Sequence, residues 1–292
     1  MKSLFTLIGS CALFFSLLPT PHSSLAQAQE PKAKNVTVRW YGQSFFQVTD
    51  SAGRVFAFDP HAIPAFGRRM VKADFVIVSH IHDDHSLVEM IDTGKVNEKT
   101  KDPVRIPESD VYRGVILKNN KQDWKTIDEK RGATRVRNVT TYHDTQNGLT
   151  RGKNSVFIVE VDGITVVHLG DLGHELTADQ VKAIGKVDVL MIPVGGIYTI
   201  NGEQAQNVLK QLKPTMFVFP MHYGMKDFDE LAGPEEFLDG LKNVKKLPLT
   251  NEFVFDATAK PADPTVVMLG WKKDEPVVPP KDPKGPKDPK KP

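Results

Sequence analysis

The chain has 292 residues, 40% of them apolar, and its 38 basic and 36 acidic residues leave a formal net charge of +2. That apolar content is enough for one sizeable core, and the near-balance of charge excludes the basic excess by which nucleic acid is held. The single cysteine, Cys11, sits inside the first apolar run, so a disulfide framework, a thiolate metal site and a catalytic thiol are excluded from everything after it.

Residues 1–28 read as a signal peptide. Lys2 supplies the positive start, Leu4 to Leu18 is a nearly unbroken apolar run, and Ala26-Gln27-Ala28 has the small residues that a signal peptidase needs. The run is shorter than the roughly 20 residues that span a bilayer, which favours a cleaved signal and no stable membrane span afterwards. The mature chain would begin at Gln29, be periplasmic or secreted, and open with a short tether over 29–35.

Three apolar segments follow, Val36 to Trp40, Ser44 to Thr49 and Val55 to Asp59, broken by Tyr41-Gly42-Gln43 and Asp50-Ser51-Ala52-Gly53, which predicts a strand meander. Phe75 to Ser79 is apolar without alternation, as a strand buried on both faces should be, and it delivers Ser79-His80-Ile81-His82-Asp83-Asp84-His85 to its end. From Ser86 to about Asn138 the pattern is poor, and an excursion of loops and short elements that walls the pocket is expected. Ser155 to Val161 and Ile164 to Leu169 form a hairpin on Asp162-Gly163. The second of these strands runs into Gly170-Asp171-Leu172-Gly173.

Thr177 to Ile184 reads as a short helix, Val187 to Val194 as a buried strand, and Asn201 with Gln204 as a capping box opening a helix through Leu212. Phe217 to Phe219 is a buried strand ending in Pro220-Met221-His222-Tyr223. Pro234 opens a helix to about Leu241, and Glu252 to Phe255 and Thr265 to Trp271 are the last strands. The tail over 274–292, with Lys281-Asp282-Pro283-Lys284 nearly repeated at Lys287-Asp288-Pro289-Lys290, is too polar to fold and is expected to be disordered.

The polar residues at the ends of these strands make a metal constellation: His80, His82, Asp84, His85, His143, Asp171 and His222. A tight turn after a strand can aim both imidazoles of His-x-His at one ion, which needs them to converge at about 2.0 to 2.1 Å. The reading assigns one ion to His80, His82 and His143, a second to Asp84, His85 and His222, and places Asp171 between them. Donors of nitrogen and oxygen alone suit zinc, and also manganese, iron or nickel. Gly170 and Gly173 leave room for close approach around Asp171.

This order of motifs resembles the metallo-β-lactamase superfamily of metal-dependent hydrolases. It is most similar to the bacterial branch with ascorbate-phosphate lactonase-like and phospholipase D-like members. Trp40-Tyr41-Gly42, Asp59-Pro60, His168-Leu169-Gly170-Asp171 and Pro220-Met221-His222-Tyr223 match landmarks of that branch, and the likeness spans about Val36 to Trp271. The resemblance implies a hydrolase domain over 36–273 with a four-layer αβ/βα sandwich, two mixed sheets flanked by helices. It also implies a supporting hydrogen-bond role for Asp59 behind the ligands. Gln43 departs from the pattern, because many members of the branch carry a histidine after that first glycine.

Away from the ligands, Tyr198 and Tyr223 are candidate donors to a developing oxyanion, and His174, Asn154 and Arg151 are candidate contacts to an anionic substrate group. His61 and His168 read as structural. Two divalent ions, two aspartates and a hydroxide bridging the ions sum to about plus one, which favours an anionic small-molecule substrate. The expected chemistry is hydroxide attack on an ester, lactone or phosphodiester, with Asp84 orienting the nucleophile and shuttling its proton. A β-lactamase-type amide hydrolase and a non-catalytic metal-binding surface protein are the alternatives.

Overall fold

The computed structural model describes residues 33–226 and 228–270, so the expected signal peptide and polar tail lie outside the described residues. A six-stranded sheet runs in the order Glu252–Asp256, Asn35–Trp40, Phe46–Thr49, Val55–Phe58, Phe75–Val78, Val111–Arg113. The opening meander is antiparallel, whereas Phe75–Val78 is parallel to both of its neighbours. The second sheet has eight strands, ordered Asp128–Arg131, Thr134–Tyr142, Lys153–Val161, Ile164–His168, Val189–Pro193, Phe217–Met221, Thr265–Leu269, Val244–Leu247.

The two sheets share one apolar core. Val36, Val38 and Trp40 alternate with Thr37 and Arg39, and the inward residues meet Phe157, Leu190 and Phe219 of the second sheet in the same cluster. Trp40 stacks on Phe46 at 6.4 Å and on Tyr223 at 5.3 Å between ring centres. Each such fully buried side chain contributes about 1.5–3 kcal/mol of transfer free energy. The Asp162-Gly163 hairpin forms as expected, with both residues at positive φ, 52° and 86°, as a tight turn between twisted antiparallel strands requires.

The two outer faces of the sandwich are covered differently. Beside the second sheet lies the Ala178–Ile184 helix, whose C-terminal carbonyls at Ala183 and Ile184 accept from Arg137. The Gly202–Leu212 helix buries Ala205, Val208 and Leu212 on one stripe. The expected capping box of Asn201 with Gln204 is present, and Thr177 with Gln180 makes a second one. On the first sheet, the smaller cluster of Phe45, Val76, Val78, Ile91 and Val111 is covered by 3-10 turns and a two-stranded ribbon, Val71–Lys72 with Ile91–Asp92. The reason is local: prolines at 60, 64, 103 and 107 and glycines at 67 and 94 interrupt any helical period there.

Some boundaries differ from the sequence reading. The excursion after Ser86 holds much more strand than expected, including the nine-residue Thr134–Tyr142, which pairs along its length with Lys153–Val161. Its polar run Thr-Arg-Val-Arg-Asn-Val-Thr-Thr-Tyr hides the pattern, because only Val136 and Val139 are aliphatic. The Pro234 helix is a single turn, Glu235–Leu238, and Val244–Leu247 was not foreseen as a strand.

Candidate metal centre

Topology brings four strand ends to one edge of the sandwich. Phe75–Val78, Thr134–Tyr142, Ile164–His168 and Phe217–Met221 each run into a turn at their C-terminal ends, and these turns carry His80 to His85, His143, Asp171 and His222. Sites in α/β sheets form at such ends because the turns converge where the strands stop. Close backbone contact makes the convergence tight: a Cβ on Gly173 would lie 2.2 Å from the carbonyl carbon of His143. Gly170, at φ +54°, leaves no room beside Asn154 and Ser79 either. His222 itself takes φ +50°, a conformation that is strained for a side-chain-bearing residue.

Hydrogen bonds behind the site fix which imidazole nitrogens face it. Ser79 has one hydroxyl proton, and at 2.6 Å it goes to Asp59 Oδ2. The His80 Nδ1–H therefore donates to Ser79 Oγ at 2.9 Å, and His80 Nε2 is left as a lone pair facing the site. His85 Nδ1 lies 3.1 Å from the same carboxylate oxygen, which makes it a protonated nitrogen and turns His85 Nε2 toward the site. The other Asp59 oxygen accepts the Ser79 backbone N–H at 2.7 Å. The fully buried Asp59 thus orients two imidazoles, which is the supporting role expected of it.

The imidazole nitrogens converge on one carboxylate oxygen. Asp171 Oδ2 lies 3.1 Å from His143 Nε2, 3.1 Å from His222 Nε2, 3.2 Å from His85 Nε2 and 3.8 Å from His80 Nε2. His85 Nε2 also lies 3.4 Å from Asp84 Oδ2, and His80 Nε2 faces His82 Nδ1 at 3.2 Å. So many nitrogens around one carboxylate oxygen are held there by positive charge, carried by protons on the imidazoles or by a bound cation. Buried nitrogens without a partner, His85 Nε2, His143 Nδ1 and His222 Nδ1, reinforce the reading that the donors present suit cations.

The donor atoms of His80, His82 and His143 lie within 4.8 Å of one another, as do those of Asp84, His85 and His222. A third set of that size, Asp59 with His80 and His85, is the hydrogen-bonded support just described, and its protons are already committed.

Electrostatics keeps most of these groups in binding form. Burial, with the neighbouring imidazoles, holds His80 well below its ordinary range and lowers His82, so both are neutral. Burial would raise the Asp171 carboxyl, but His222, His85 and His143 outweigh it and hold the group well below the usual carboxylate range. Asp84 is likewise held down against burial, by His85. His85 is the exception: Asp171, Asp84 and Asp59 together outweigh its burial and drive it up, so it holds a second proton that a bound cation would displace.

A cavity of about 780 Å³ opens over these groups and is lined by His82, Asp84, His143, Asp171 and His222 below. Lys121, Gln122, Lys153, Tyr198 and the turn from Asn147 to Gly152 line it as well. The turn is rigid: Asp144 accepts the backbone N–H groups of Gln146, Gly148, Thr150 and Arg151 at 2.7 to 2.9 Å. Arg151 then donates to the Ile197 carbonyl and lies over the Tyr198 ring, joining the two lips. Tyr198 thus stands on the pocket wall.

Three other candidates do not. Asn154 is fully buried and brackets the Asp171 turn, giving its Nδ2 to Thr141 Oγ1 and the Leu169 carbonyl and accepting from the Asp171 N–H. Tyr223 is packed on Trp40 behind the site, and burial pushes its phenol up. His174 has both ring nitrogens taken by backbone, at Tyr142 N and Glu175 O.

His61 and His168 are structural, as read: His61 bridges the Gly42 carbonyl and the Ile63 N–H, and His168 stacks on Phe58 and donates to the Ser44 carbonyl. The wall comes less from the 86–138 excursion than expected, which supplies only Lys121 and Gln122 among the lining residues. Asp144 was missed, although its position just before Asn147-Gly148 is the pattern of a side chain closing a turn.

Comparison with known proteins follows the same outline. Residues 37–222 match the model of the Beta-lactamase superfamily domain. A UPF0173 metal-dependent hydrolase of Thermoplasma acidophilum is 27% identical over 215 residues, 70% of this chain and 90% of the relative. One from Cupriavidus taiwanensis is 26% identical over 276 residues, 81% of this chain and 90% of the relative. Among solved structures, a candidate Zn-dependent hydrolase of the metallo-β-lactamase superfamily from Thermotoga maritima superposes with a TM-score of 0.58 at 30% identity, covering 80% of this chain and 98% of that one.

Proposed function

The chain belongs to the β-lactamase superfamily, and on that premise we propose that it is an exported metal-dependent hydrolase cleaving an ester, lactone or phosphodiester bond of an anionic small molecule. The observation that carries this reading is the convergence of imidazole nitrogens on Asp171 Oδ2 at the floor of an open cavity. His80, His82 and His143 would hold one divalent ion and Asp84, His85 and His222 a second, with Asp171 reaching both; zinc suits the donors best. Ions bound there would lower the pKa of water toward about 7 and polarise the oxygen under attack.

The chain's own groups supply the rest. Asp84 is the most open of the acidic groups, with 42% of its side chain exposed, and it is kept ionised by His85, so it can orient a nucleophile and take up its proton. Lys121, Arg151 and Lys153 line the cavity and favour a substrate anion, while Tyr198 offers a ring face and a phenol beside Arg151. The segment from Met1 to Ala28 supports export.

The test is turnover of the metal-loaded protein on a panel of one ester, one lactone and one phosphodiester. Hydrolysis of at least one is expected, reduced about 10²–10⁴-fold by Asp84→Ala. Equal turnover by the wild type and the variant on all three would remove the assignment.

A further inference from the structure

Gln43 touches the centre from behind in a way that neither its sequence position nor the ligand pattern explains. It lies between the first two strands, is 2% exposed, and holds φ +48° in a region that side-chain-bearing residues rarely adopt. Its backbone carbonyl accepts two donors, Trp40 Nε1 at 3.0 Å and the His222 backbone N–H at 3.2 Å. Its side-chain Nε2 reaches Asp84 Oδ2 at 3.5 Å. One residue is thus in contact with two members of one ligand triad, Asp84 and His222, which arrive from strands of different sheets.

The amide orientation follows from chemistry. Turned over, Gln43 would set a carbonyl oxygen against the Asp84 carboxylate, acceptor against acceptor, so Nε2 faces Asp84 and Oε1 faces away. Oε1 is then buried without a partner among the described residues. The amide leaves its acceptor unpaired in order to keep its donor on the carboxylate, so the Asp84 contact is what fixes its orientation. The neighbouring Ser44 completes the arrangement, its hydroxyl donating to Asp171 Oδ1 at 3.4 Å.

We propose that Gln43 is the positioning residue of the second ion site: its carbonyl fixes the His222 backbone and its side-chain N–H holds Asp84. The proposal rests on the two-ion reading above. An amide does this at any pH, because it offers a donor and an acceptor together and never charges. A histidine in its place would offer one or the other, according to tautomer, and would add a titrating group beside Asp84.

The experiment titrates Zn²⁺ into metal-free wild type, Gln43→Leu and Gln43→Glu by calorimetry, with thermal melting of each metal-free protein alongside. Gln43→Glu keeps the shape and the backbone contacts while setting a carboxylate against Asp84, so it reads the side chain alone. Two ions are expected in the wild type. In both variants the second ion should bind about 10- to 100-fold more weakly and the first within about 2-fold of wild type, with the metal-free melting point of Gln43→Leu little changed. Wild-type affinity at both sites in either variant would overturn the proposal, as would equal weakening of both ions together with a fall in the metal-free melting point. A wild type that takes up a single ion would instead remove the two-ion reading, and the proposal with it.

Discussion

The centre depends on residues that never face the cavity. Asp59 sets the tautomers of His80 and His85, the first through Ser79 and the second directly. Asp59→Asn should weaken metal binding about 10- to 100-fold in a metal titration, because one of its oxygens becomes a donor facing groups that already donate. His80 to His85 was legible in the sequence as a motif, but this relay was not, since Asp59 and Ser79 meet only when parallel strands bring them together. His61 gives a second residue-scale test. Burial lowers its pKa from 6.5 to about 4, so the folded state binds its proton less readily than the unfolded chain. Its contribution is complete above about pH 6.5 and is lost as pH falls toward 4, by about 3 kcal/mol over the window. Chemical denaturation at pH 7 and 4.5 should show His61→Leu losing less stability on acidification than the wild type.

At the scale of the element, the turns carry more than the strands. The turn from Asp144 to Gly152 is folded around one carboxylate, and Asp144→Ala leaves four backbone N–H groups without their acceptor. Hydrogen exchange should show faster exchange from Gln146 to Arg151, and KM should rise about tenfold with a smaller change in kcat, because the wall is loosened while the ligands stay. The Gly-Asp-Leu-Gly turn has the opposite tolerance. Gly173→Ala puts a Cβ 2.2 Å from the His143 carbonyl carbon, so the backbone of a ligand must move. A stability loss of about 1–3 kcal/mol is expected on thermal unfolding, with most of the activity gone. Asp162-Gly163 and the capping box at Asn201 could be read in advance because their geometry is encoded within a few residues. Thr134–Tyr142 could not, because its pairing with Lys153–Val161 and the core beneath it outweigh its polar composition.

For the molecule as a whole, two sheets share a core and their strand ends supply the ligands at one edge, so folding and the centre are coupled. A cation held by groups that converge only in the folded chain binds that state and not the unfolded one, and bound metal should therefore stabilise it. At 1,000 times the dissociation constant one ion adds about 4 kcal/mol, so a chelator should lower the melting temperature and restored metal should recover it. The ligand edge followed from apolar strands ending in His and Asp turns, and the sandwich from the family resemblance that those motifs carry. The uneven covering of the two outer faces did not, because it depends on how the proline- and glycine-broken segment from Pro60 to Pro107 drapes over the first sheet. The central claim is that two ions sit among His80, His82, Asp84, His85, His143, Asp171 and His222. Its most direct test is the metal content of the fully active protein, measured by elemental analysis beside turnover on the same sample. The account predicts two ions per chain, with activity lost as they are withdrawn; full activity at no more than one ion per chain would contradict it.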